Sequence, residues 1–288
     1  MNIQKKLTSM AVKLAQEIDA DGILVLTESG KSYKLLAENS GGFEITAASP
    51  NEDTAEEIKN EFDSNIIRLL VRDRTRMDQI RHAVWRGLRE DFFSPGDLLV
   101  CVTGESGFSG GTDTISVYSV SESEQTLAEI VESDLVVNSV VRIATELAHS
   151  GGKGGPIGGA FIIGDSEKVL NLSHQLGVNP YKGHDSLSIL DRKNWEIVKK
   201  FAYLDGAFIV NKEGFLIAAG RYLDADAKVD IPKGLGTRHI AVASITAATH
   251  SKGVTVSGED GTIRIFEDGE ILAKVDPDSR MLREFLSG

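Results

Sequence analysis

Residues 201–244 read FAYLDGAFIVNKEGFLIAAGRYLDADAKVDIPKGLGTRHIAVAS, and this stretch decides the fold of the second half of the chain. Two short apolar segments, residues 208–210 and residues 215–220, are separated by the polar residues 211–214, which end in a glycine. Short apolar runs on either side of a glycine-containing turn are typical of paired β-strands. The sequence therefore predicts a β-hairpin, around which the neighbouring segments are arranged.

Charged residues stand near both ends of this stretch. Asp205 and Gly206 open the first predicted strand, and residues 236–239, Gly-Thr-Arg-His, lead into an apolar segment typical of a helix. A glycine lets a ligand approach the backbone closely, and the amide groups at a helix start favour a polyanion. With an arginine for phosphate and a carboxylate for a metal, the pair of motifs suits phosphoryl or nucleotidyl transfer. The alternative is a hairpin in which Asp205 caps a turn and the arginine and histidine are surface residues.

Four motifs in this order resemble the diadenylate cyclase (DAC) domain. They are PIGGAFIIGD at residues 156–165, NPYKGH at residues 179–184, DGA at residues 205–207 and GTRH at residues 236–239, with GRYL at residues 220–223 before the last. Enzymes of this family join two ATP molecules into cyclic di-AMP, a second messenger, and release two pyrophosphates. The resemblance therefore implies an ATP-binding enzyme, a nucleotidyltransferase.

The resemblance also implies roles for individual residues, with the adenine in an apolar slot and the phosphates at the helix start. The residues expected to hold the nucleotide are Gly206, Leu223 beside the adenine, Gly236, Thr237, Arg238, His239 and Ser257. Asp205, Arg238 and His239 are the catalytic candidates. A carboxylate with a pKa of about 4 is a weak base for a ribose hydroxyl, so we expect Asp205 to hold Mg²⁺ or Mn²⁺. Glu259 is the second candidate metal ligand.

Two positions depart from the family pattern. Many members carry a second arginine directly after the TRH motif, whereas this chain has Ile240 and so lacks one cation. The family commonly has a serine followed by two acidic residues, whereas this chain has Ser257, Gly258 and Glu259. The departures leave a second interpretation open, a catalytically weak sensor of ATP or of a cyclic dinucleotide. Asp205, which is present, favours the enzyme.

The product of the family implies an assembly. Each domain is expected to bind one ATP, so two cyclase domains must meet face to face to bring the two reactants together. The product is itself symmetric, which matches a two-fold interface. We therefore expect a homo-oligomer whose substrate is ATP.

The first half of the chain alternates between strands and helices, which predicts a parallel α/β sheet. Strands are predicted at residues 23–27, 43–47, 65–73, 97–104 and 115–120, and helices at residues 3–18, from residue 30 onward and at residues 77–90. The segments DGILVLTESGKSYKLL, FEITAASP and SPGDLLVCVTG resemble the C-terminal α/β domain of pyruvate kinase. Its combination with a DAC domain is similar to that of archaeal diadenylate cyclases.

The loop after the first strand matches the TxSGxS loop that binds a sugar-phosphate effector in pyruvate kinase. The matching residues are Thr27, Ser29, Gly30, Lys31 and Ser32. Hydroxyl and amide groups at a helix start can bind an anion, which implies an anionic effector of the N-terminal domain. The alternative is that Thr27 or Ser29 simply caps the helix.

We place the domain boundary near residue 125. This gives a pyruvate kinase C-terminal-like α/β domain at residues 1–125 and a DAC domain at residues 126–288, with a mixed sheet flanked by helices. Within the second domain, helices are predicted at residues 126–150, 169–176, 190–204 and 277–288, and a β-meander at residues 252–275.

Composition excludes several classes of function. The 288 residues carry 31 basic and 43 acidic side chains, a net charge of −12, which disfavours binding to DNA or to an anionic membrane. No helix-hairpin-helix segment is found, so a DNA-scanning role is disfavoured as well. The single cysteine, Cys101, lies in an apolar run and is expected to be a buried thiol. No apolar run is long enough to cross a membrane and no signal core opens the chain, so we expect a cytoplasmic protein.

Overall fold

A computed structural model of the chain describes residues 3–62, 64–69, 75–104, 112–121, 133–150, 155–232 and 234–278. The described residues form two compact units, one ending at residue 121 and one running from residue 133 to residue 278. None of the helices in these ranges is long and apolar enough to span a membrane. The predicted terminal helix at residues 277–288 lies almost wholly outside the described ranges.

The N-terminal unit is a five-stranded sheet with the strand order β3-β2-β1-β4-β5. Strands β1 to β4 run parallel, and β5 pairs antiparallel to β4 at one edge. The elements in chain order are α1 (Ile3–Glu17), β1 (Gly22–Leu26), α2 (Lys31–Ala37), β2 (Ile45–Ser49), α3 (Glu52–Phe62), β3 (Ile66–Arg68), α4 (Arg76–Arg89), β4 (Leu98–Gly104) and β5 (Thr112–Ser119).

Helices cover both faces of this sheet. Ile23 and Val25 of β1 pack with α1, α2 and α3, whereas Leu24 and Leu26 point to the opposite face and pack with α4. A strand that is buried on both faces needs an uninterrupted apolar run, which is what residues 22–26 supply. The central strands are therefore recognisable from composition, and the predicted α/β fold is confirmed.

Several details of this unit differ from the sequence prediction. The strand predicted at residues 65–73 ends at Arg68, with residues 70–73 outside the described ranges, and the strand predicted at residues 115–120 begins at Thr112. β2 begins at Ile45, two residues later than expected, and α3 was not predicted because polar residues dominate its exposed face. β5 runs antiparallel, because residues 105–111 are too few for the crossover that a parallel pair of strands needs. Cys101 is buried as expected, and burial raises the pKa of its thiol to about 12.

The second unit is a seven-stranded mixed sheet with the order β12-β11-β10-β6-β8-β9-β7. β6 and β8 are parallel, and every other neighbouring pair is antiparallel. The elements are α5 (Leu135–Ser150), β6 (Gly159–Ile163), α6 (Ser166–Asn171), β7 (Ser173–Gln175), a 3₁₀ turn (Arg192–Asn194), α7 (Trp195–Phe201), β8 (Ala207–Val210), β9 (Leu216–Leu223), α8 (Thr237–Ala248), β10 (Lys252–Val256), β11 (Ile263–Glu267) and β12 (Glu270–Val275).

Helices α5 and α8 pack against the strands of this sheet. α8 buries Val242, Ala243 and Ile245 against side chains of β6, β8 and β9, and α5 packs against β6, β10 and β11. Asp134 caps α5, because its Oδ1 accepts hydrogen bonds from the amides of Val136 and Val137 at 3.1 and 3.0 Å. The predicted hairpin and the predicted meander are both confirmed.

The helix predicted at residues 169–176 is wrong. α6 ends at Asn171, and β7 follows it at once and pairs with the end of β9. The apolar spacing fits a helix, but β9 would otherwise be left with an unpaired edge. His174, expected on a helix, is instead an exposed strand residue whose Nδ1 lies 2.8 Å from Oδ2 of Asp224. The segment 190–204 is helical only from Arg192 to Phe201.

Replacement of Gly253 tests the packing of α8 on β10. A Cβ at this position would lie 2.2 Å from Cγ1 of Val242. We therefore expect Gly253→Ala to lower the free energy of unfolding of this unit by about 1–3 kcal/mol, measured as a fall in melting temperature. Gly177, which has open space around it, provides the control: Gly177→Ala is expected to change stability by less than about 0.5 kcal/mol. Equal effects of the two substitutions would contradict this packing argument.

Candidate active site

The directions of the strands bring five chain segments together along one edge of the second sheet, here the edge at which the strands begin or end and not an outer strand. β6, β8 and β11 begin at this edge, and β9 and β10 end there. The register shows this, because Gly159 pairs with Val256, Val256 pairs with Ile263, and Ala207 pairs with Arg221. Residues that are up to about a hundred positions apart in the sequence therefore meet at one site.

A cavity of about 670 Å³ opens at this edge. Its size falls within the range of pockets that enclose small-molecule ligands. All nine residues that the sequence analysis proposed for the site line it: Asp205, Gly206, Leu223, Gly236, Thr237, Arg238, His239, Ser257 and Glu259. The structure thus brings the candidates together, although the role of each one stays a prediction.

One wall of the cavity is apolar. Leu223 is buried and lines the cavity together with Ala160, Ala207 and Val256. These side chains come from β9, β6, β8 and β10, four adjacent strands that contribute small and aliphatic residues to this wall. A flat, weakly polar group such as a nucleobase fits this wall.

The helix start on another side of the cavity offers unpaired amides. Gly236 caps α8 in an extended conformation and provides no side-chain hydrogen bond. Its carbonyl accepts from the amide of His239 at 3.0 Å. Within the described ranges, no group accepts a hydrogen bond from the amides of Thr237 and Arg238, and such amides favour an anion. The prediction that a helix begins at the TRH motif is confirmed.

Arg238 lies between the helix start and Asp205. The Nη2 atom of Arg238 is 3.8 Å from Oδ1 of Asp205, and the side chain of Asp205 is 90% exposed. An ion pair this long and this exposed contributes little to stability. The guanidinium is therefore available to an incoming phosphate.

Two glycines shape the backbone around these side chains. A Cβ on Gly158 would lie 2.6 Å from Nη1 of Arg238, so the missing side chain makes room for the guanidinium. Gly206 has a φ of +98°, and a Cβ there would lie 2.7 Å from the carbonyl oxygen of Arg221. The sequence predicts that a ligand approaches the backbone closely at Gly206. The structure shows that the backbone of β9 makes the close approach.

The turn after β10 is organised by Ser257. Its Oγ accepts from the amides of Glu259 and Asp260 at 3.3 and 3.4 Å, and its own amide donates to the carbonyl of Thr262 at 2.9 Å. Hydrogen bonds with Ser257 and Thr262 lower the pKa of Asp260 to about 2. Asp260 is therefore a fixed negative charge of the turn, whereas Glu259 is exposed at the cavity.

His239 is buried and neutral. Burial is the main cause of its lowered pKa, and the charges of Arg264 and Arg238 lower it further. Its Nε2 lies 3.3 Å from Nη1 of Arg264. Because an arginine only donates, Nε2 is the acceptor and the proton of the neutral ring is on Nδ1.

Three charged residues of the cavity were not among the predicted site residues: Arg221, Asp260 and Arg264. Arg264 lies between two buried isoleucines of β11, and an arginine in an apolar strand was the signal that could have revealed it. Asp260 lies within the predicted meander, directly after the candidate metal ligand Glu259. Arg221 belongs to the GRYL motif, but its contacts depend on β7, which was predicted as helix.

The donor set of the cavity suits a metal ion that is shared with a substrate. No cluster of three or more His, Cys, Asp or Glu residues that could hold a metal occurs in the described part of the chain. Mg²⁺ commonly binds through one or two carboxylates, with phosphates and water completing its shell. Asp205 and Glu259 line the same cavity and fit that arrangement.

An apolar slot beside a helix start and an arginine defines a nucleotide-binding domain. Comparisons with known proteins identify which kind of nucleotide-binding domain it is. Residues 146–271 match the family described as DAC, DisA bacterial checkpoint controller nucleotide-binding, and residues 5–118 match the pyruvate kinase alpha/beta domain.

Two curated proteins are similar over nearly the whole chain. The diadenylate cyclase of Methanocaldococcus jannaschii is 33% identical over 97% of this chain and 99% of its own length. The diadenylate cyclase of Haloferax volcanii is 32% identical over 91% of this chain and 95% of its own length. The chain belongs to the diadenylate cyclases.

The protonation state of His239 can be measured directly. We expect its pKa, followed by NMR of labelled imidazoles, to lie below the usual value of about 6.5, and we expect Arg264→Met to raise it. The folded state disfavours the charged ring, so protonation of His239 lowers the free energy of unfolding. The stability that the neutral ring provides is fully present above the unfolded-state pKa and is lost as the pH falls through the folded-state pKa. A His239 that titrates above its usual value would contradict the buried, neutral ring.

Proposed function

We propose that this chain is an active diadenylate cyclase that condenses two ATP molecules into cyclic di-AMP and releases two pyrophosphates. The observation that carries the proposal is the meeting of Asp205, Arg238 and the start of α8 in one cavity of a chain that belongs to this family. An intact carboxylate beside an available arginine favours turnover over a sensor that only binds.

The proposed reaction forms two phosphodiester bonds. In each one, the 3′-oxygen of one ATP attacks the α-phosphorus of the other, the bond to the leaving pyrophosphate breaks, and the hydroxyl proton passes to water. The apolar wall at Leu223 holds the adenine, and the amides of Thr237 and Arg238 hold phosphate oxygens. The guanidinium of Arg238 opposes the negative charge that develops on the phosphates.

The enzyme is expected to need Mg²⁺ or Mn²⁺. Asp205 would hold the ion, with Glu259 as a second candidate ligand. Such an ion neutralises phosphate charge and makes a bound hydroxyl more acidic. The carboxylate of Asp205 is almost fully exposed, so it can reach a ligand that the substrate brings in.

A homo-oligomer with facing cyclase domains follows from the chemistry, because each cavity holds one of the two reactants. The surface next to the cavity supports such an assembly. A second cavity of about 420 Å³ shares Asp205 and Arg238 and is also lined by Tyr203 and Leu204. Tyr203 is 72% exposed, and apolar surface beside a reactive carboxylate suits contact with another copy of the chain.

An anionic effector of the N-terminal unit stays a prediction. Oγ1 of Thr27 accepts from the amide of Gly30 at 3.0 Å, and Oγ of Ser32 pairs with Oγ1 of Thr112. Gly30 is the N-cap of α2 and makes no side-chain capping bond. An effector would therefore have to compete with contacts that these hydroxyls already make.

Replacement of Asp205 tests the enzyme against the sensor. We expect Asp205→Asn to abolish cyclic di-AMP formation with either metal while ATP still binds, because the amide removes the charge that holds the ion. Products would be separated by chromatography and ATP binding measured by calorimetry. Asp226→Asn removes the same charge from an exposed residue outside the cavity and should leave the rate unchanged. Full activity of Asp205→Asn would remove this carboxylate from the mechanism, and a wild-type chain that binds ATP without turnover would favour the sensor.

Dilution tests the need for a second copy. If only facing domains react, the rate of cyclic di-AMP formation at saturating ATP should rise with the square of protein concentration below the dissociation constant of the assembly. Above that concentration it should rise linearly. Sedimentation at the same concentrations provides the assembly state. A rate that stays proportional to concentration in a range where the protein is monomeric would contradict the facing-domain proposal.

A further inference from the structure

Helix α8 brings fewer positive charges to the cavity than the triphosphate of ATP is expected to need. The triphosphate of ATP carries several negative charges, and the TRH motif was expected to meet them with Arg238 and His239. His239, however, is buried and accepts a hydrogen bond at Nε2. Ile240 supplies no charge, is 46% exposed and does not line the cavity. From this helix, only Arg238 contributes a cation.

Two further arginines line the cavity, and one of them is committed to the fold. The guanidinium of Arg221 donates to the carbonyl of Leu170 at 2.7 Å and to Oγ of Ser173 at 2.9 Å. It therefore ties β9 to the turn between α6 and β7. Its N–H groups already donate hydrogen bonds to carbonyl and hydroxyl groups of the protein, so few of them remain to bind a ligand.

Arg264 is in a different situation. It lines the cavity from β11, and no carboxylate of the described residues lies within 4.0 Å of it. Its hydrogen bond to His239 occupies one of five N–H donors. The acid next to it in the cavity, Asp260, is already bound by Ser257 and Thr262. Arg264 is therefore a cation that faces the cavity with most of its donors available.

We propose that Arg264 is the second cation for the triphosphate, that it binds the β- and γ-phosphates, and that His239 positions it. The assignment rests on the proposed function, since it presumes ATP in this cavity. It replaces the charge that the sequence analysis found missing at Ile240. The cation is supplied from a strand of the sheet and not from the helix.

The order of side chains around the cavity assigns the phosphates. Arg238 is the arginine beside Asp205, where the α-phosphate would react. Arg264 extends from β11, which lies three strands away from β8, the strand that follows Asp205, so it lies farther from the reacting carboxylate. The phosphates that follow the α-phosphate along the chain are the ones it can contact. These phosphates leave as pyrophosphate and are absent from cyclic di-AMP.

Selective loss of affinity tests this assignment. We expect Arg264→Met to raise the dissociation constant of an α,β-methylene ATP analogue about 10- to 100-fold, the effect of losing a charged hydrogen bond. The dissociation constant of cyclic di-AMP should change less than about twofold, and Arg264→Lys should recover part of the affinity for the analogue. Both constants would be measured by calorimetry on the full chain.

Lys274 provides the matched control. It pairs directly with Arg264 on the neighbouring strand, is exposed and does not line the cavity. Lys274→Met therefore removes the same charge nearby and should leave both dissociation constants unchanged. A loss of analogue binding in Lys274→Met as large as in Arg264→Met would reduce the effect to general electrostatics and overturn the proposal.

Two other outcomes would overturn it as well. Unchanged analogue binding by Arg264→Met would mean that the arginine does not contact the phosphates. Equal loss of the analogue and cyclic di-AMP, in both Arg264→Met and Arg264→Lys, would mean that it supports the cavity as a whole. Failure of the wild-type chain to make cyclic di-AMP would contradict the proposed function alone, because the binding comparison needs no turnover.

Discussion

The position of β6 between β8 and β10 is the constraint on which the cyclase unit depends. β6 is parallel to β8 and antiparallel to β10, so the start of β8 and the end of β10 lie on the same edge. That edge carries Asp205 at one strand and Ser257 at another. Helix α8 packs against β6 and begins at the same edge. If β6 were antiparallel to β8, the carboxylate and the serine turn would lie at opposite ends of the sheet.

Much of this arrangement could be predicted because the motifs are local. The turn before Gly214, the helix start at Thr237 and the meander after Lys252 each depend on a few neighbouring residues. The fold of the N-terminal unit could be predicted for a related reason, since strands buried on both faces need continuous apolar runs. All nine proposed site residues also meet in one cavity.

The parts that could not be predicted depend on contacts between distant segments. β7 is a strand because the edge of β9 accepts it, and nothing within residues 173–175 alone specifies that pairing. Arg264 was overlooked because it lies in a strand whose neighbours are core residues. The neutral state of His239 follows from burial and from two arginines that approach it in the folded chain. Its position after Thr237 and Arg238 had suggested a phosphate ligand.

The glycine at position 158 links two distant parts of the chain. Because its missing Cβ provides the room for Nη1 of Arg238, side chains at these two positions are not energetically independent. Most of the steric cost of an added methyl group at position 158 comes from the guanidinium at 2.6 Å, since the next nearest atoms, in the backbone of Gly258, lie 3.3 Å away. Substitutions at positions 158 and 238 should therefore be non-additive, with the double change costing less than the sum of the single ones. In related chains, a different residue at one of these positions therefore relaxes the restriction on which residue can occupy the other.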